Sequence, residues 1–310
     1  MTTSQDFVGP GESAEVAVLV VTYQSEAVID RLIASLRHEA AEHKIRVIVV
    51  DNASSDATLS KVAAHPDVSC LSSGGNLGYA AGINIAARGC VGDETQLILN
   101  PDLEVENGCI AALLRRRRDS GAAVVVPQIL DANGQTYLSL RREPNLLGAL
   151  GDALFGNRVG WRPAVLSETI QRQEGYEVAQ PVDWATGAAL LVDAQVAAQV
   201  GAWDESYFLY SEETDFLRRV RKLGGQVWYE PTARVRHDKG GSGSSLALAK
   251  LLAVNRVRYV RKHHHRIYAD IYRGVVALRE LIRSYGASHR SILMTVISER
   301  SWASLPGPSR

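Results

Sequence analysis

Leu97-Ile98-Leu99-Asn100-Pro101-Asp102 decides the reading of the fold, because here an apolar run stops at an amide, a proline and a carboxylate. A short apolar run ahead of a proline reads as a buried strand, and the proline ends it because it has no N–H for the next ladder bond. Asp102 is thereby delivered to the carboxyl end of a core strand. Ligands of open α/β sheets sit at that edge, and a carboxylate there suits a divalent cation held against a phosphorylated ligand. Asn-Pro-Asp is also ordinary turn chemistry, so the motif takes its meaning from its surroundings.

Working back towards the N-terminus, Val16 to Val21 is an apolar, β-branched run broken by Thr22-Tyr23-Gln24-Ser25. Ser25 is placed to cap a helix whose apolar residues Val28, Ile29, Leu32, Ile33 and Leu36 recur at helical spacing. A second run, Ile45 to Val50, ends in Asp51-Asn52-Ala53-Ser54-Ser55-Asp56. Strand, crossover helix and strand imply a parallel βαβ unit. Asp51 follows its strand directly and can accept a hydrogen bond from a base N–H or a ribose hydroxyl. Asp56 reads equally as a ligand and as the cap of a helix starting near Ala57. A third strand, Val68 to Leu71, leads into Asn76-Leu77-Gly78-Tyr79-Ala80-Ala81-Gly82-Ile83-Asn84, whose small residues let a helix start or a ligand backbone come close. The spacing is not that of a dinucleotide-binding GxGxxG.

Beyond Asp102, Asn107 is expected to cap a helix ending in the solvated Arg115 to Arg118. Val124 to Val126 forms a fifth strand, and Asp131 to Gln135 carries a hairpin signal. Arg141 to Arg172 reads as an irregular lid or acceptor-facing segment. Order resumes as a strand over Val182 to Val192. Phe208 to Arg219 then opens a helix with Glu212, Glu213 and Asp215. Asp215 is explained by the helix dipole and by pairing with Arg218 or Arg219. The two glutamates before it are not; crowded like charges raise a pKa, which prepares a general base. Gln226 to Glu230 is another strand, and His237 precedes a Gly/Ser loop read as mobile. His237 is either a hydrogen-bonded surface residue or a metal ligand.

Lys+Arg and Asp+Glu both total 34, so charge balance points away from nucleic acid. Cys70, Cys90 and Cys109 are widely spaced with no CxxC pair, the usage of a reducing cytosol. No secretory signal is visible, and no apolar stretch has the roughly 18–20 residues that span a bilayer. A cytoplasmic protein is expected, at most peripheral on the inner face of the plasma membrane. From Ser245 the composition turns helical, and Lys250 to Arg283 holds nine basic residues against Asp270 and Glu280. Such a tail suits an anionic membrane surface over 245–285, or packs on the main domain or on a second copy of the chain. His263-His264-His265 is too tightly spaced for one metal and is given no site.

In their order and spacing, Val20-Val21-Thr22-Tyr23, Asp51 to Asp56, Asn76 to Asn84, Asn100-Pro101-Asp102, Trp184-Ala185-Thr186-Gly187, Phe208 through Arg218 and His237 resemble the family-2 inverting glycosyltransferases, in particular bacterial rhamnosyltransferase-like members. The resemblance implies a GT-A fold, an α/β architecture with a mostly parallel central sheet flanked by helices. It spans 15–244, after a flexible tail at 1–14 and before a basic helical extension at 245–310. It implies that Thr22, Tyr23, Glu26, Asp51, Asn52, Asn76, Gly78, Tyr79, Gly82, Asn84, Asn100 and Asp102 hold a nucleoside-diphosphate sugar, dTDP-L-rhamnose or a UDP-sugar. Asp102 and His237 would bind Mg²⁺ or Mn²⁺; Glu213 would be the base, with Glu212 and Asp215 as rivals; Trp184, Thr186 and Gly187 would border sugar and acceptor, a glycan or a polyprenyl-linked one of the cell envelope. Two departures stand out. Asn100 replaces the first acid of the family's DxD, and Glu213 is one methylene longer than its usual aspartate. The first departure leaves open a degenerate sugar-nucleotide-binding protein; a nucleotidyltransferase is the other alternative, although no glycine- and basic-rich loop follows the first strand.

Overall fold

A computed structural model describes residues 6–9, 11–156, 163–237 and 245–309. Its centre is a nine-stranded sheet. Strands β1 (Val16–Thr22), β2 (Ile45–Asp51), β3 (Ser69–Ser72) and β4 (Thr95–Leu99) run parallel in the order β3-β2-β1-β4. The second half holds β5 (Leu103–Val105), β6 (Val124–Leu130), β8 (Gln180–Val182), β10 (Ala189–Val192) and β11 (Val227–His237). Here β10 runs antiparallel between β4 and β6, β11 lies parallel to β6, and β5 and β8 pair antiparallel with β11. A two-stranded ribbon, β7 (Leu140–Arg141) with β9 (Trp184–Ala185), stands apart. The uniformly buried β1 and β2 show why their sequences read as apolar runs rather than alternations: both faces are covered.

One face carries α1 (Ile29–Glu39) and α4 (Cys109–Ser120), the other α3 (Tyr79–Ala87) and α7 (Glu212–Lys222). The short α2 (Thr58–Ala63) lies by the edge strand β3, and the short α6 (Ala194–Val200) packs on the α7 face. Helix α4 is not capped by Asn107. Glu39, at the end of α1, takes the Gly108 and Ile110 amides at 2.6 and 2.7 Å, so one helix supplies the cap of another. Nor does the Ser25 side chain cap α1; its carbonyl accepts from Val28 and Ile29. Asp56 does serve the start of α2, its Oδ1 accepting from the Thr58 amide at 3.1 Å. The Arg115 to Arg118 run is not simply solvated either, because Arg116 pairs with Glu230 and Arg117 with Asp193. The expected strand Val182 to Val192 is broken at 183 and 186–188 into β8, β9 and β10.

The segment read as irregular holds a helix, α5 (Leu146–Phe155), capped by Asn145, whose Oδ1 accepts from the Gly148 amide at 2.8 Å. The C-terminal part forms α8 (Leu246–His263), α9 (Arg266–Ile282) and α10 (Ala287–Ile297), which share a separate core with Ala149 of α5 and Tyr207. Most of the basic charge there is spent internally. Arg256 pairs with Glu168, Lys262 with Asp204 and Asp215, Arg261 and Arg273 with Glu299, and Arg279 with Glu280. No helix of the described residues is long and apolar enough to cross a membrane. The Gly/Ser loop after His237 lies outside the described residues.

Candidate active site

Both halves of the sheet end at one rim. Asp102 sits in the turn between β4 and β5, and β5 pairs with β11 so that His237 stands opposite Leu103. His237 Nε2 and Asp102 Oδ2 are therefore 3.0 Å apart. Asp102 is buried, and its Oδ1 has no partner. A buried carboxylate oxygen left bare is costly unless something arrives to use it. One carboxylate and one imidazole, with the rest of the shell left to phosphate and water oxygens, suit Mg²⁺ or Mn²⁺. Among the described residues no third His, Cys, Asp or Glu completes a protein-only metal cage. Asn100 contributes its amide N–H to Ala188 at 2.8 Å, which ties the end of β4 to the Thr186–Ala188 turn.

The acidic cluster is aimed by its backbone. Tyr210 and Ser211 both have positive φ, 71° and 74°, immediately ahead of α7. Two consecutive non-glycine residues in that region are strained, and such strain persists only where surroundings enforce it. The enforcement comes from α8: the buried Asn255 donates its Nδ2 to the carbonyls of Leu209 and Tyr210 at 2.9 and 3.1 Å. The turn swings Glu213 against Gly187, where a Cβ would stand 3.1 Å from Glu213 Cβ. Glu213 Oε2 and Glu212 Oε2 are both buried without partners. Burial pushes both carboxyls up, and Glu212 rises well above the usual range because the Glu213 charge adds to burial. Glu213 is thus the one of the two that ionises first.

Asp215 leaves the contest for base. Burial opposes its charge, but hydrogen bonds from His263, Lys262 and Arg219, at 2.7, 2.7 and 2.9 Å, hold it well below the ordinary carboxylate range. Its role is to clasp α7 to α8, and His263, given no site from sequence, is one half of that clasp.

Tyr79 joins the two clusters. Its hydroxyl reaches towards the Gly187 carbonyl at 3.4 Å, and its ionisation is opposed first by burial and then by Glu212, Glu213 and Asp102. The Thr186–Ala188 turn thus links the clusters: Asn100, two residues ahead of Asp102, bonds it at Ala188, Tyr79 meets it at Gly187, and Glu213 packs on the same glycine. Tyr79 is held there by its amide, which donates to the Phe208 carbonyl at 2.9 Å. Gly78 makes this approach with φ 90°, and a Cβ at that position would stand 2.3 Å from the same carbonyl oxygen. Gly82 is likewise needed, since a Cβ would strike Val21 at 2.5 Å.

Several other candidates hold the frame. Asp51 is buried and accepts from the Thr22 hydroxyl at 2.9 Å and from the Ser54 amide and hydroxyl at 2.8 and 2.6 Å. Its carboxylate thereby shapes the loop, while Oδ2 accepts only the Ser54 amide among the described residues. Asn52 is the better placed group: its Nδ2 holds the Gly78 carbonyl at 3.0 Å while its buried Oδ1 is bare. Tyr23 is half exposed on the rim. Glu26 accepts from the Ala57 amide at 2.7 Å and brackets the loop from outside. Asn84 is fully used, donating to Trp203 O and Glu205 and accepting from the Trp203 amide, so it staples the following loop rather than facing a ligand. The Trp184 indole is similarly committed to the Arg142 carbonyl at 2.8 Å. Asn76 pairs with Ser309, whose amide donates to its carbonyl at 2.8 Å, so the C-terminal segment reaches the donor-side loop. The Thr186 hydroxyl is buried and bare, as is that of Ser139, whose carbonyl accepts from the Thr186 amide. Ser139 and Asn255 carried no motif in the sequence; only the fold brings them to the site.

A family model, Glycosyl transferase family 2, matches residues 17–186. The chain belongs to that family. It is 33% identical over 258 residues to the N-acetylglucosaminyl-diphospho-decaprenol L-rhamnosyltransferase of Mycobacterium tuberculosis (strain ATCC 25618 / H37Rv), covering 78% of this chain and 82% of that one. It is 24% identical over 232 residues to rhamnosyltransferase WbbL of Escherichia coli K12, covering 72% and 83%. Among solved structures it resembles the mannosyltransferase PcManGT from Pyrobaculum calidifontis, determined with GDP-Man and Mn²⁺, with a TM-score of 0.54, 17% identity and coverage of 95% and 77%. The glycosyltransferase is thus rhamnosyltransferase-like in sequence and GT-A in fold.

Proposed function

We propose that this glycosyltransferase moves a sugar, with inversion, from a nucleoside-diphosphate sugar to a hydroxyl of a lipid-linked or other glycan acceptor in cell-envelope synthesis. The Thr186–Ala188 turn carries the reading: the Asp102 turn is bonded to it through Asn100 and Glu213 packs on its Gly187, so an acid for a cation-held diphosphate and an acid for a base share one rim. The two rhamnosyltransferase relatives support dTDP-L-rhamnose ahead of a UDP-sugar as donor, and the decaprenyl relative supports a polyprenyl-linked acceptor. Work on such an acceptor fits a cytoplasmic enzyme that meets the inner face of the membrane.

In this mechanism Thr22, Tyr23 and the bare Asn52 Oδ1 border the nucleotide, and Gly78 lets the backbone close on it. Asp102 and His237 would hold Mg²⁺ or Mn²⁺, which would offset the charge growing on the leaving diphosphate. Glu213, ionised, takes the proton of the acceptor hydroxyl as that oxygen attacks the anomeric carbon from the side opposite the diphosphate. Glu212 stays protonated beside it. The bare hydroxyls of Ser139 and Thr186 are free to orient sugar or acceptor. Asn100 leaves the cation site with one acid fewer, which lowers its affinity.

The test is a panel of sugar nucleotides with Mg²⁺ or Mn²⁺, read by thermal stabilisation and then by transfer to a polyprenyl-diphosphate sugar with the product anomer determined. A donor at about 100 times its Kd adds roughly 2.7 kcal/mol of stability. Stabilisation by dTDP-L-rhamnose and an inverted product support the proposal; a retained anomer or free pyrophosphate as product overturns it.

A further inference from the structure

Helix α9 buries Ala269, Tyr272 and Val276 against its neighbours yet turns a second apolar stripe to solvent. Ile267, Ile271, Gly274, Leu278 and Leu281 fall three and four residues apart within α9 and so lie on one face, and Tyr285 follows in the turn beyond the helix. Ile267 is 77% and Tyr285 81% exposed, and Ile271 and Leu281 are more than half exposed. From Ile267 to Leu281 the stripe runs about 21 Å at 1.5 Å per residue. It is not alone. Leu146 and Arg283 tie α5 alongside α9, the Leu146 amide bonding Tyr268 Oη and Arg283 the Ala153 carbonyl. From α5, Leu147, Leu154 and Phe155 are exposed; from α10, on the other flank, Met294 and Ile297 are.

We infer that α5, α9 and α10 together form a face that lies on an anionic lipid bilayer. Three side-by-side helices with scattered large apolar tips match the interface of a bilayer, which needs no shape complementarity. Charge supports the same occupant. Of the eleven basic residues of 245–309, Arg256 and Lys262 are answered by acids outside the segment, and the segment's own acids are Asp270, Glu280 and Glu299. Glu280 is buried with Arg279 and His289, and Asp270 and Glu299 are engaged by Arg261 and Arg273. Arg290, on the same side of α10 as Met294, and Arg300 have no acidic partner among the described residues, and Arg266 is 96% exposed. Acidic lipid complements such a border, each cation near the surface adding about 1 kcal/mol. The contact is therefore carried by apolar tips over three helices, one of them outside 245–285. It rests on the lipid-linked acceptor proposed above for its purpose. It also has a route to the site: Glu143, three residues ahead of α5, is bound by Arg218 and Arg221 of α7, the helix that Glu213 helps to open.

Sedimentation with vesicles of phosphatidylcholine, alone or mixed equally with phosphatidylglycerol, tests this on the full chain without donor or metal. The wild type should pellet with the mixed vesicles. The Ile271→Glu, Leu281→Glu pair, at exposed positions and checked by an unchanged melting temperature, should bind about tenfold or more weakly, and Arg266→Glu with Arg290→Glu should remove the preference for acidic lipid. Wild type left in the supernatant with both vesicles overturns the inference, as does a concentration-dependent dimer that the Ile271→Glu, Leu281→Glu pair dissolves. Calorimetric donor binding on the same preparation separates the two proposals: lost vesicle binding with intact donor binding removes only this one.

Discussion

Gly187 lies flat against Glu213, so that a methyl group at position 187 would stand 3.1 Å from Glu213 Cβ and 3.3 Å from Cγ. Gly187 lies in the loop ahead of β10 and Glu213 in the first turn of α7. Gly187→Ala must displace the glutamate by a few tenths of an ångström. Misplacement of a reacting group by about 1 Å costs on the order of 10² in rate. Turnover of this variant should fall by up to about a hundredfold with donor affinity unchanged; steady-state kinetics alongside calorimetry separate the two.

The Asp102–His237 pair makes a second prediction. Asp102→Asn keeps the shape of the turn and removes the charge, and His237→Gln removes the imidazole. Each should weaken metal-dependent donor binding, by on the order of 10–100-fold or more, while metal-free nucleotide binding changes little. Titration of nucleotide with and without Mn²⁺ reads this directly.

Burial raises Glu213, and a base works only when unprotonated. As pH falls the proton therefore returns earlier than to an ordinary glutamate of pKa about 4.3, so the acid limb of the kcat profile should lie above that value. Glu212 is pushed up further than Glu213, so with Glu213 as the base Glu212→Gln should retain a limb. Its disappearance in that variant would make Glu212 the base.

Asn255 predicts that the C-terminal helices are part of the catalytic apparatus. Asn255→Leu removes both bonds to the Leu209 and Tyr210 carbonyls and leaves them buried, at a cost of about 1–3 kcal/mol in stability. The strained Tyr210–Ser211 turn should then relax, so kcat falls while the donor Kd holds. Thermal melts and kinetics on the one variant check both halves.

The sheet was legible because its strands are buried on both faces and end in polar punctuation: the runs before Thr22, Asp51 and Asn100 all became parallel strands. Asp102, His237 and the two glutamates were legible as residue types at strand and helix ends. What escaped depends on distant pairing. Asp51, Asn84 and the Trp184 indole N–H also bond Ser54, Trp203 and Arg142, and no local pattern announces those partners. Asp215 could be explained locally by Arg219, whereas Lys262 and His263 reach it from another helix. The basic tail was legible only as composition, since the fold decides that Arg256 and Lys262 are answered by acids far along the chain while, among the described residues, Arg290 and Arg300 are not.

Turnover of Glu213→Gln, measured beside its metal-dependent donor affinity, tests the central claim most directly. A lost general base should cost about 10²–10⁴ in rate, with the donor Kd within a few-fold of wild type. Near-normal turnover would contradict a base at this position and the shared cleft built on it.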